Sequence, residues 1–151
     1  MPIQTIKGDL LALAQAGEFD VIAHGCNCHR VMGGGIAFAI SRTWPEVLDA
    51  DCATLQGDRA KLGTCTEAVV EGGRLTVVNA YTQYDHAGLG PLVDYGAVRS
   101  CMAWIGKHHA GKRIGLPKIG AGLAGGDWAR IEAIISRELA GEDVTIVVFS
   151  G

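Results

Sequence analysis

The chain has 151 residues, of which 48% are hydrophobic and 19% are charged. This composition excludes a disordered chain, and the length predicts one globular domain spanning residues 1–151. The net charge of −3 argues against a broad basic surface for nucleic acid. An anionic ligand would therefore have to be bound locally, by loops and helix dipoles.

The sequence carries no sign of a membrane or secreted protein. No apolar run approaches the roughly 20 residues of a transmembrane helix, and the N-terminus lacks the charged and apolar regions of a signal peptide. The five cysteines then indicate reduced thiols, as expected of a cytoplasmic protein without a membrane partner.

The predicted elements alternate along the chain. Strands are predicted at residues 3–7, 21–24, 61–70, 74–82, 113–119 and 144–149, and helices at 10–16, 35–42, 45–55, 95–108 and 128–140. Residues 71–73 suit a hairpin turn, whereas Asp9 and Asp127 suit the N-caps of the helices that follow them. Helices alternating with apolar strands predict an α/β fold, with a mixed, mostly parallel sheet covered on both faces.

Three consecutive glycines, Gly33, Gly34 and Gly35, lie between a predicted strand and a predicted helix. This position aims backbone N–H groups and the positive end of a helix dipole at one point, which favours a phosphate. Glycine also lets a ligand approach the backbone closely. The alternative is a flexible surface turn without a ligand.

A second glycine-rich loop, residues 120–126, follows the fifth predicted strand. Because loops converge at the carboxyl ends of parallel strands, the two loops predict two clamps on one extended phosphorylated ligand. Gly120, Gly122 and Gly125 also match a dinucleotide fingerprint, but the acidic residues that should follow, Glu142 and Asp143, precede the last strand. Too little chain remains for the rest of a nicotinamide-dependent oxidoreductase.

Four potential metal ligands, His24, Cys26, Cys28 and His29, lie within six residues. Zinc sites, however, typically place two to four residues between paired cysteines, and here Asn27 alone separates them. We therefore expect no metal and no other cofactor. A nucleophilic Cys26 or Cys28 near a helix N-terminus is a further alternative.

Several segments together resemble a macrodomain. They are HGCNCHRVMGGGIA at 24–37, KGDL at 7–10, LPKIGAGL at 116–123 and VF at 148–149. The similarity is greatest to the branch that holds ADP-ribose-1″-phosphate phosphatases and hydrolases that remove ADP-ribose from glutamate or DNA. It implies a three-layer α/β/α fold, ADP-ribose or an ADP-ribosylated substrate as partner, nucleic acid only as such a substrate, and a monomer.

The resemblance also implies a set of ligand-binding residues. In this sequence they are Asp9, Leu10, Asn27, Met32, Gly33, Gly34, Gly35, Ile36, Pro117, Gly120, Ala121, Gly122, Leu123 and Phe149. Asp9 would bind the adenine amino group and Phe149 would stack on the ring. The two glycine loops would hold the diphosphate from opposite sides, and Asn27 would orient the distal ribose.

For the reaction, the resemblance implies a hydrolase that removes a group from the 1″ carbon, with His24, Asn27 and Asp127 as catalytic residues. The chain departs from the glutamate-linked hydrolases at two places: Ala124 replaces an aspartate, and residues 82–85 hold no lysine. The alternatives are a non-catalytic reader of ADP-ribose and a scaffold with a vestigial pocket.

Overall fold

A computed structural model describes residues 3–88, 90–122 and 124–150. The strands are β1 (Gln4–Gly8), β2 (Val21–Cys26), β3 (Cys65–Val70), β4 (Leu75–Tyr81), β5 (Arg113–Leu116) and β6 (Asp143–Phe149). The helices are α1 (Leu10–Gln15), α2 (Gly35–Thr43), α3 (Pro45–Cys52), α4 (Tyr95–His108) and α5 (Trp128–Glu138). Within these ranges no helix is long and apolar enough to cross a membrane.

The six strands form one sheet in the order β1-β6-β5-β2-β4-β3. All neighbouring pairs are parallel except the antiparallel β3–β4 hairpin. Adjacent residues of β2 pack into two different hydrophobic cores, one on each face of the sheet. Val21 packs with α4 and α5, and Ile22 packs with α1, α2 and α3. This three-layer α/β/α arrangement confirms the predicted fold class.

The third strand begins later than the sequence predicts, at Cys65 instead of position 61. Arg59–Lys61 forms a 3-10 turn whose N-cap is Asp58, with the carboxylate accepting the Ala60 N–H at 2.9 Å. Gly63 follows at a φ of +85°, a conformation that a strand excludes. The capped turn and this glycine delay the strand, so the prediction was wrong for residues 61–64.

The sheet opens between the carboxyl ends of β2 and β5. β5 ends at Leu116 because Pro117 has no N–H to donate to a neighbouring strand. β2 pairs with β5 only at Val21 and Ile22, but it continues beside β4 as far as Cys26. The loops that follow the parallel strands converge over this gap, which is the usual position of a ligand in such a sheet.

Candidate functional site: a groove with two glycine loops

A groove crosses the carboxyl edge of the sheet and consists of two adjoining cavities. The glycine cavity has a volume of about 400 Å³ and the Phe149 cavity one of about 490 Å³. Both are lined by Gly35, Ile36, Pro117 and Lys118. The glycine cavity is also lined by Gly25, Asn27, Val31, Gly33, Gly34, Ala37, Gln83, His86, Ile119, Gly120, Gly122 and Ala124. The Phe149 cavity is also lined by Asp9, Leu10, Leu11, Ala39, Val147, Val148 and Phe149.

The first glycine loop forms one wall of the glycine cavity, where α2 begins. Gly34 is the N-cap in an extended conformation, and Gly35 opens the helix at a φ of +57°. The N–H groups of a first helical turn have no acceptor within the helix, and Gly34 brings no side chain to accept them. Since Gly35, Ile36 and Ala37 line the cavity, these donors and the helix dipole favour an anion there.

The second glycine loop also lines the glycine cavity. Gly120 has a φ of +76°, and a Cβ added there would lie 2.7 Å from Cγ2 of Val93. The N–H of Gly126 donates to the Gly120 carbonyl at 2.7 Å and closes the loop. Both the backbone angle and the lack of space therefore require glycine at position 120, and Gly120 and Gly122 line the cavity as expected.

Ala121 and Leu123 are the two other residues of this loop that the resemblance assigns to the ligand. The N–H of Ala121 donates to the Lys118 carbonyl at 3.2 Å, and Ala121 does not line either cavity. The Ala121 N–H, which the resemblance assigns to the ligand, is therefore already hydrogen-bonded within the protein. Leu123, the remaining expected ligand residue of the loop, lies outside the described residues.

The far end of the groove combines a carboxylate with an exposed aromatic ring. Asp9 is the N-cap of α1, as predicted, and its Oδ1 accepts the N–H groups of Leu11 and Ala12 at 3.0 and 3.3 Å. Among the described residues its other oxygen has no hydrogen-bond partner. Phe149 ends β6 with 76% of its surface exposed, and buried Leu10 lies beside the same cavity. A flat apolar group with a polar edge would fit between them.

Asn27 lies in the glycine cavity, directly after β2. Its Nδ2 donates to the Val31 carbonyl at 2.8 Å, and its Oδ1 accepts the His29 N–H at 2.8 Å. Both interactions fold the loop back on itself in the manner of an Asx turn. Asn27 therefore has a structural role as well as a position in the groove, and its second amide hydrogen is available for a ligand.

The floor of the glycine cavity is Gly25. A Cβ at this position would lie 2.7 Å from Oγ1 of Thr82 and 3.4 Å from Cγ2 of Ile119. The Thr82 hydroxyl is buried, and no described residue bonds to it. The groove thus reaches the sheet itself because position 25 carries no side chain.

His24 is placed differently from the expectation that it lies beside the ligand. It is fully buried and lines neither cavity. Its Nε2 lies 2.6 Å from Oδ1 of Asn79, and Sγ of Cys26 lies 3.5 Å away. Because β2 continues to Cys26, strand alternation turns His24 away from the groove. Burial lowers the pKa of His24 to about 4, so the imidazole is neutral at pH 7.

His24 belongs to a buried hydrogen-bonded network on the face of the sheet that α1, α2 and α3 cover. Nδ2 of Asn79 donates to the Val47 carbonyl and to Oγ1 of Thr66, both at 3.1 Å. Thr66 bonds to the Tyr81 hydroxyl, which donates to Asp51 at 2.8 Å. Since Asn79 Nδ2 is a donor to a carbonyl, Oδ1 is an acceptor and His24 carries its proton on Nε2. Among the described residues, no buried side-chain nitrogen or oxygen of this network lacks a hydrogen-bond partner.

Two more predicted residues do not line either cavity. Asp127 is the N-cap of α5, as predicted, and its Oδ1 accepts the Ala129 N–H at 3.1 Å while its own N–H donates to the Tyr95 hydroxyl. It is exposed and lines neither cavity. Met32 is 7% exposed and packs in the core with α2 and α3. Apolar packing accounts for its position.

The cysteines give no support to nucleophilic chemistry. Burial raises the pKa of the Cys26 thiol well above its ordinary value and also raises that of Cys28. A thiol is a nucleophile only as the thiolate. Among the described residues no group of three or more His, Cys, Asp or Glu side chains is arranged to hold a metal ion.

Among the described lining residues that the sequence did not assign to the site, three carry polar or charged side chains. They are Gln83, His86 and Lys118. His86 and Gln83 come from the loop after β4, and their direction depends on the path of that loop. Lys118 follows Pro117 within the LPKIGAGL segment. This segment is the feature of the sequence that could have indicated Lys118 as a site residue.

The sequence and the fold resemble those of known proteins. The Macro domain family model matches residues 23–135. An uncharacterised 17.5 kDa protein of Enterobacteria phage T4 is 35% identical over 97% of this chain and 96% of its own. The ADP-ribose 1″-phosphate phosphatase of Candida albicans is 28% identical over 88% of this chain and 91% of its own.

A solved structure extends the likeness to three dimensions. The macrodomain protein of Streptomyces coelicolor superimposes with a TM-score of 0.75 and 29% identity, over 99% of this chain and 98% of that one. The family match covers most of the chain and includes both glycine loops. The chain therefore belongs to the Macro domain family.

Proposed function

We propose that this protein binds ADP-ribose along the groove and hydrolyses the bond to a group on its 1″ carbon. The observation that carries the proposal is the pair of glycine loops, both of which line the glycine cavity. A diphosphate is an anion with acceptors on both sides, so it matches two converging sets of backbone donors.

The two ends of the groove fit the two ends of ADP-ribose. The exposed ring of Phe149 can stack on adenine, and the unbonded oxygen of Asp9 can accept the adenine amino group. The distal ribose then lies in the glycine cavity, near Asn27 and Gln83 and above Gly25. The 1″ carbon would be at this end.

Hydrolysis at the 1″ carbon would rest on positioning and electrostatics. Bound phosphates and ribose hydroxyls would hold a water close to the reacting bond, and backbone donors would stabilise developing negative charge. The proton-transfer group should line the cavity, which His24 and Asp127 do not. We assign this role to His86, because it is the imidazole that lines the glycine cavity and imidazole is the commonest general acid or base.

The Candida albicans relative supports the choice of reaction class, because it is named for the removal of the 1″-phosphate from ADP-ribose.

One observation favours a second candidate, a non-catalytic reader. The described lining of the glycine cavity holds no carboxylate, and Ala124 is buried in its wall.

Calorimetric titration tests the ligand, and a product assay tests the reaction. We expect ADP-ribose to bind more tightly than AMP, which lacks the second phosphate and the distal ribose, and than NAD, which carries a bulky 1″ group. Equal affinity for AMP and ADP-ribose would contradict the two-loop site. The product assay compares 1″-phosphate, acetyl, glutamyl and nucleobase-linked ADP-ribose, and a reader would bind ADP-ribose but release no product from any of them.

A further inference from the structure

Lys118 has a special position in the groove. It lines both the glycine cavity and the Phe149 cavity, together with Gly35, Ile36 and Pro117. These four residues mark the junction where the two cavities meet. In the described lining, Lys118 is the one lysine or arginine, and the only carboxylate, Asp9, belongs to the Phe149 cavity.

The junction otherwise offers no full positive charge to an anion. The first glycine loop contributes N–H groups and the partial charge of a helix dipole. Such donors orient a diphosphate but do not neutralise it, and a nearby ammonium group gives shorter and stronger hydrogen bonds to phosphate oxygens. A ligand with its diphosphate at the junction would therefore be bound more tightly with the Lys118 ammonium beside it.

The side chain of Lys118 is free to reach such a ligand. It is exposed, and its Nζ lies over the ring of Trp128 at 5.6 Å from the centroid. A cation–π contact at this distance and exposure is weak, and the flexible four-carbon stem of lysine permits other positions. Exchanging the indole ring for a phosphate oxygen replaces a weak partner with a charged one.

We propose that Lys118 is a movable binding residue that leaves Trp128 and closes on the diphosphate of the ligand. The inference rests on the proposed binding of ADP-ribose and adds to it the source of charge selectivity. Lys118 makes the groove prefer a diphosphate-bridged ligand to an uncharged nucleoside, and it couples the occupancy of the junction to the environment of Trp128.

The test uses Lys118→Met, which keeps an unbranched side chain without the charge. The matched control is Lys107→Met on α4, since Lys107 is exposed and lines neither cavity. We expect Lys118→Met to weaken ADP-ribose binding about tenfold, as for a lost hydrogen bond to a charged group. The salt dependence of the affinity should also decrease, whereas adenosine binding should not change. Lys118→Arg should restore most of the affinity, and Lys107→Met should behave as wild type.

The indole N–H resonance of Trp128 in an NMR spectrum gives a second readout. It should shift when ADP-ribose binds to the wild type and shift much less in Lys118→Met. If wild type binds ADP-ribose while Lys118→Met binds it equally well and with the same salt dependence, the assignment of Lys118 is overturned and the proposed function stands. If wild type does not bind ADP-ribose, the proposed function itself fails.

Discussion

Alternate residues of β2 lead to two regions of opposite character. Gly25 and Asn27, which directly follows the strand, line the glycine cavity, and six glycines belong to the described lining of this cavity. His24 and Cys26 face the buried network behind the sheet, where side chains bond to one another. The groove offers unsatisfied donors and open space, and the network offers neither. His24 and Cys26 are thus part of the buried interior, whereas Gly25 leaves room for the groove.

The largest expected effect comes from breaking the network. His24→Ala removes a fully buried ring and leaves Oδ1 of Asn79 without its 2.6 Å partner. The acceptor would keep only the Cys26 thiol at 3.7 Å. The cavity and the weaker hydrogen bonding together should lower the free energy of unfolding by about 3 to 4 kcal/mol. Urea unfolding at pH 7 measures this, with His108→Ala on the surface of α4 as the control. A His24→Ala protein that is as stable as wild type but inactive would instead make His24 a catalytic residue.

The complementary change is in the groove. Gly34→Val should weaken ADP-ribose binding on the order of 100-fold, because two or three backbone donors would be blocked. The stability should hardly change, since Gly34 has an extended backbone that valine adopts readily, at φ −142° and ψ 157°. Titration and a melting curve on the same sample separate the two effects. Full affinity with an unchanged melting temperature would mean that this loop does not bind the phosphates.

The fold and the two loops could be predicted from the sequence because local patterns determine them. Apolar periodicity, glycines at element ends and capping aspartates such as Asp9 and Asp127 all act over a few residues. The direction of His24 could not be predicted, because the strand was expected to end there and instead continues to Cys26. His86 and Lys118 were missed since their positions depend on the paths of loops, which no short-range pattern fixes.

The pH dependence of stability tests whether His24 is buried in its neutral form. Burial lowers the pKa of His24 from 6.5 to about 4, so the unfolded chain takes up the proton first as the pH falls. The contribution of His24 is complete above pH 6.5 and is lost progressively towards pH 4. At pH 5 the loss should reach about 2 kcal/mol.

This loss should be absent in His24→Gln, whose side chain does not titrate, so the difference between the two proteins at pH 7 and pH 5 isolates it. Hydrogen bonds from Arg113 lower the pKa of Asp20 to about 2, so that group affects stability only below its ordinary 3.8. Asp51 is present in both proteins, so any effect of its titration cancels in the difference between them. Equal pH dependence of wild type and His24→Gln would contradict a buried neutral His24.

The smallest effects come from two helix caps that differ only in their relation to the groove. Asp9 caps α1 and lines the Phe149 cavity, whereas Asp127 caps α5 and lines neither cavity. Asp127→Ala should therefore cost about 1 kcal/mol of stability, as is typical of a lost cap, and leave ADP-ribose affinity unchanged. Asp9→Asn should do the reverse, because asparagine caps a helix as well as aspartate does but accepts the adenine amino group less well. A several-fold loss of affinity at constant melting temperature is the expected result. If Asp127→Ala folded normally and bound ADP-ribose but turned over no substrate that wild type hydrolyses, the proton chemistry would belong to the second loop instead of the His86 side of the cavity.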